Sequence, residues 1–128
     1  MKKQLFVSVL LGLIATSSMA QMSESTFNNK VASKMQTNQI VNCWLLAAFL
    51  DSGQNVEVKK MGADIRELYQ PLAIAKLGSE SAFEGYLQKN MDTFKTQAKK
   101  FQAMEALQLR DFYLSCLRKV GDAYLSVK

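Results

Sequence analysis

From Phe27 onward, apolar residues recur every third or fourth position along almost the whole chain, the spacing that lines one face of an α-helix. Phe27, Val31 and Met35 step by four, with Ser23 or Ser25 available to cap the start. The polar stretch Gln36-Thr37-Asn38-Gln39 permits a break before the apolar run at 41–50 (VNCWLLAAFL), so the region predicts one long helix or two nearly collinear ones. Asp51-Ser52-Gly53-Gln54-Asn55 ends it, and Gly53 suits a left-handed cap. Val58, Met61, Ile65, Leu68 and Leu72 form the next apolar stripe, with Lys59, Lys60, Asp64 and Glu67 on the other face. Pro71 lies inside this pattern and predicts a kink or a fresh helix start.

Gly78-Ser79-Glu80-Ser81 reads as a stop followed by a start, with Ser81 and Glu84 spaced as a capping box. Phe83, Leu87, Met91 and Phe94 continue at helical spacing. Residues 88–102 (QKNMDTFKTQAKKFQ) are the most polar part after the leader and predict an exposed helix or a helix–loop excursion. Leu109, Phe112, Cys116, Val120 and Tyr124 mark a final helix. Residues 54–58 are the single short strand candidate, and we reject it. The predicted class is all-α, a small bundle of four to five helices.

The first twenty residues follow a different rule. Lys2 and Lys3 precede an apolar run at 5–15, and Ser18-Met19-Ala20 places small residues at the −3 and −1 positions before Gln21. This order predicts a secretory signal peptide cleaved after Ala20. The run is shorter than the roughly 20 apolar residues that a spanning helix needs, so no stable membrane insertion is expected after cleavage. What remains, 21–128, is one helical domain of 108 residues. Removing Lys2 and Lys3 lowers the formal charge from +5 to +3, and the basic residues alternate with acids and glutamines. Nucleic acid is not an expected partner, because a phosphate-binding groove needs clustered cations.

Both cysteines lie on apolar helix faces within the domain, and an exported chain meets an oxidising environment. The simplest reading is one disulfide, Cys43 to Cys116, joining an early helix to the last; two buried thiols are the alternative. The chain has no histidine, which removes the usual base for a cysteine nucleophile and a common metal ligand. Neither a Gly-x-Ser-x-Gly elbow nor a P-loop is present. Glu80 and Glu84 read as a solvated helix start favoured by the helix dipole, and Asp111 with Arg110 and Arg118 as surface charge. The methionines are scattered as core fillers, and Trp44 is expected in the core. The expectation is a non-enzyme with no cofactor and no metal, acting through a protein surface.

Three segments together carry a family resemblance: IVNCWLLAAF around Cys43, FEGYLQKNM at 83–91, and DFYLSCL around Cys116. With the leader, they make the chain resemble the periplasmic immunity proteins of type VI secretion amidase effectors. That resemblance implies a periplasmic protein, often a homodimer. It further implies that a projecting loop or helix plugs the active-site cleft of a papain-like peptidoglycan amidase and so blocks the toxin. The sequence departs from the family pattern in being basic, and no toxin-contacting loop matches residue by residue. The contact region expected here is the polar excursion at 88–100, through Lys89, Asn90, Asp92, Lys95, Gln97, Lys99 and Lys100. An ordinary solvated helix is the alternative for that stretch. Two other functional classes suit the same layout. One is an envelope stress chaperone exposing apolar patches, and the other a lipid or small-ligand carrier enclosing an apolar pocket.

Overall fold

A computed structural model describes residues 24–127, and all their regular elements are α-helices. In chain order these are α1 (Glu24–Ser33), α2 (Thr37–Asp51), α3 (Val56–Leu77), α4 (Glu80–Lys89), α5 (Met91–Ala103) and α6 (Ala106–Ser126). The class is as expected, but among the described residues there are six helices rather than four to five. Two breaks account for the difference. The first falls at 34–36, where Lys34 and Met35 donate backbone hydrogen bonds to Val31 and Ala32 in a tight turn. The Gln39 side chain then accepts from the Gln36 N–H as α2 begins. The second falls at Asn90, which ends α4 and starts α5; its side-chain amide turns back to donate to the Tyr86 carbonyl at 2.9 Å. The signal-peptide expectation concerns residues that lie outside the described ones.

Three local expectations are corrected. Of the two readings of Pro71, the fresh helix start is ruled out: α3 runs from Val56 to Leu77 with the proline inside it. Its neighbours Tyr69, Leu72 and Ala73 are fully buried, so packing on both sides of the proline offsets the lost hydrogen bond. Gly53 is not the left-handed cap. Ser52 closes α2 by donating to Ala48 and Phe49 together, and the glycine with positive φ is Gly78, at 109°, ending α3. The cap of α4 is Ser79 rather than Ser81; its hydroxyl accepts from the Ala82 N–H at 3.0 Å.

The centre of the molecule is the α2–α3 hairpin, with α1 packed on α3 and α6 closing the other side. Ile40, Leu46, Ile65, Tyr69 and Leu72 are wholly buried in it. Gly62 lets the two helices approach. A Cβ at this position would stand 2.6 Å from the Asp51 amide nitrogen and 2.7 Å from the Ala47 carbonyl oxygen. Cys43 on α2 is joined to Cys116 on α6, with Cα atoms 5.8 Å apart and 73 residues of chain between them. Tyr69 on α3 donates its hydroxyl hydrogen bond to the Cys116 carbonyl at 2.5 Å. Three helices are thereby tied at one point. Burial, and secondarily Tyr124, push the Tyr69 phenol well above its ordinary pKa of 10.

Candidate functional site

α4 and α5 stand apart from this knot. α4 is held by Phe83, which is buried and meets the Trp44 ring edge-on at 5.1 Å. α5 is held by Phe101, which lies between Phe49 of α2 and Phe112 of α6 with centroids 5.6 and 5.5 Å away. Tyr86 and Phe94 pack against one another across the junction at 6.1 Å. These aromatics take the inner side of each helix and leave the outer side to solvent.

The residues proposed for partner contact separate into two groups on this scaffold. Lys95 and Lys99 are one turn apart on the outer face of α5 and share it with Asp92. Lys100 lies at the flank of that face, and Lys89 is exposed at the end of α4. No acidic side chain among the described residues forms an ion pair with these lysines. Asn90 and Gln97 are half-buried. Asn90 serves the α4–α5 junction, and Gln97 sits on the same side of α5 as Phe94 and Phe101. The structure thus brings together a cationic helix face, and it assigns two of the seven residues to holding that helix in place.

One cluster escaped the sequence. Trp44 is half-buried rather than sealed in the core, and its indole N–H donates to the Gln70 side chain at 3.4 Å. The Arg66 guanidinium lies 6.0 Å from the centre of the indole ring and also pairs with Asp51 at 3.4 Å. Arg66 and Gln70 are four residues apart on α3, a spacing that puts both on the face meeting Trp44. That repeat was the available signal, masked by the more conspicuous Lys59, Lys60, Asp64 and Glu67. A groove of about 410 Å³ runs between the α1–α2 turn and the end of α6. It is open to solvent, with Met35 and Ala123 as its floor and Lys34, Gln39, Lys119 and Asp122 around it. Among the described residues no group of side chains is disposed to hold a metal ion, and no helix is long and apolar enough to cross a membrane.

Comparison with protein-family models, curated proteins and solved structures finds no match for this chain. The Cys43–Cys116 disulfide itself fits an oxidising, exported compartment.

Proposed function

We propose that this protein is a periplasmic inhibitor that binds and blocks a secreted cell-wall amidase, as the immunity proteins it resembles do. The observation carrying this reading is the division of labour within the fold. A disulfide-tied bundle carries on its surface a pair of helices, packed through Phe83 and Phe101, whose outer face offers unpaired lysines. A pre-organised protein of this kind can hold one partner tightly, because little ordering entropy is spent on binding. Lys95, Lys99 and Lys100 are the contact residues in this reading, and the complementary surface is an acidic rim around the partner's active-site cleft. The open, polar-edged groove offers a lipid little enclosure, which weighs against a carrier.

The test is capture with oxidised protein from lysates and secreted fractions, followed by amidase assays on peptidoglycan. One stoichiometric cell-wall hydrolase, inhibited by the wild type and released by Lys95→Glu/Lys99→Glu, is the expected result. Many weakly held proteins, or a captured hydrolase whose activity is unchanged, would overturn the inhibitor reading.

A further inference from the structure

Arg66 is held in place by contacts that leave its hydrogen-bonding capacity unused. Its guanidinium lies 6.0 Å from the centre of the Trp44 ring, and Nη1 stands 3.4 Å from an Asp51 carboxylate oxygen, long for a hydrogen bond. Nε is sealed from solvent and meets no acceptor. A guanidinium carries five N–H donors, and desolvating part of a cation without pairing it is unfavourable. The ring and the Asp51 carboxylate fix where this cation stands, yet the side chain remains 40% exposed. Its terminal nitrogens can be reached from outside, and much of its rotamer freedom is already lost in the free protein.

Gln70 stands one turn further along α3. Its carbonyl oxygen accepts from the Trp44 indole N–H at 3.4 Å, which turns the amide so that its two N–H donors are left without an acceptor among the described residues. Phe83 of α4 meets the indole edge-on at 5.1 Å and fixes the ring as well. The patch therefore offers donors from two side chains beside a half-buried tryptophan, the pairing of Trp and Arg that is enriched where proteins bind proteins. Donors without acceptors call for an oxyanion, and the planar fork of arginine matches a carboxylate. Asp51, close to the same guanidinium, repels a second negative charge and so disfavours a phosphate dianion. A free small anion finds no enclosure on an open face, and the groove of about 410 Å³ is lined by none of these residues. An acidic side chain carried by a polypeptide gains the Trp44 surface in addition to the donors.

We infer that Trp44, Arg66 and Gln70 form a docking site for an acidic side chain of a protein partner. The partner's carboxylate bonds the terminal nitrogens of Arg66 and the amide of Gln70, and a neighbouring partner residue packs on the exposed part of Trp44. The site stands on α2 and α3, apart from the lysines of α5, and the inference does not depend on the proposed inhibitor function.

Trp44 is the chain's single tryptophan, so its fluorescence reports on this site alone. Peptides selected from a random-peptide display library against the oxidised protein test the inference. They are expected to carry Asp or Glu at a common position, and synthetic copies are expected to shift the Trp44 emission on binding. Exchanging that acid for its amide should weaken binding at least about tenfold, the effect of losing a hydrogen bond between charged groups, and it leaves the protein itself untouched. Arg66→Gln should weaken binding to a similar extent, and Arg66→Lys should recover part of it, because lysine keeps the charge and loses the fork. A selection that yields no binder, or one that enriches no acidic residue, would overturn the inference. So would acidic peptides that bind Arg66→Gln as well as wild type but are lost on Lys95→Glu/Lys99→Glu, a pattern that puts them on α5. Complete displacement of the peptide by equimolar acetate would overturn it too, since the site would then hold a free carboxylate and not a polypeptide.

Discussion

The α2–α3–α6 knot and the α4–α5 excursion are built from the same helix-forming alphabet, yet they are held by different means. The knot has a disulfide, a buried tyrosine bonded across helices and a glycine contact that brings two backbones together. The excursion has two aromatic pegs, Phe83 and Phe101, with an aromatic pair at its corner. Stability is therefore concentrated in one half and lent to the other through a few rings. Such an arrangement leaves the outer surface of α4 and α5 unconstrained by packing. Lysines can stand there without an ion-pair partner, because nothing in the core depends on them.

Breaking the covalent tie should have the largest effect. Reducing Cys43–Cys116, or replacing both cysteines by alanine, releases a loop of 73 residues and should cost about 4 kcal/mol on the chain-entropy model. Chemical denaturation with and without reductant measures it, and an unchanged midpoint would mean that α6 is held by packing alone. Phe101→Ala should come next, at about 3 kcal/mol for losing a buried ring. Its signature is regional. Hydrogen exchange should quicken through α5 while the amides of α2 and α3 keep their protection, and uniform quickening would erase the distinction between the halves.

Gly62→Ala should cost about 2 kcal/mol, because its Cβ collides with backbone and not with a flexible side chain. The matching substitution Gly85→Ala, in the open on α4, should instead stabilise by up to about 1 kcal/mol. Equal effects at the two glycines would contradict the contrast between the halves. Tyr69→Phe should cost about 1 kcal/mol at neutral pH, the net worth of one hydrogen bond. Wild-type stability should also fall as pH rises above 10, since the unfolded phenol ionises there while the folded one resists. Stability is fully present below that pH, and the Phe variant should lose less of it above.

Much of this was legible in the sequence because helical periodicity is a local property. The stripe Leu109, Phe112, Cys116, Val120, Tyr124 points inward as its spacing requires, and the cysteine pairing followed from two thiols on apolar faces. The class was readable, but the helix count was not. The breaks at 34–36 and at Asn90 occur where the polar pattern permits a turn without demanding one. Pro71 shows the reverse case. A residue that locally predicts interruption is carried inside α3, because the buried residues around it gain more from continuing than the missing hydrogen bond costs. The excursion at 88–100 was visible as a polar stretch, whereas Asn90 and Gln97 could not be told from the lysines beside them. Burial depends on which helix lies opposite.

Composition and periodicity alone determined the all-helical class and put both cysteines on apolar helix faces, which made the pairing of Cys43 with Cys116 the simplest reading. Each follows from residue types at fixed spacing along one chain. Only the tertiary structure decided that Gly62 is a contact point, that Tyr69 reaches the carbonyl of Cys116, and that Trp44 sits beneath Arg66. These features depend on the distance between elements remote in sequence. That distance is set by how side-chain volumes fill the space between helices, a quantity no single stretch of the chain contains.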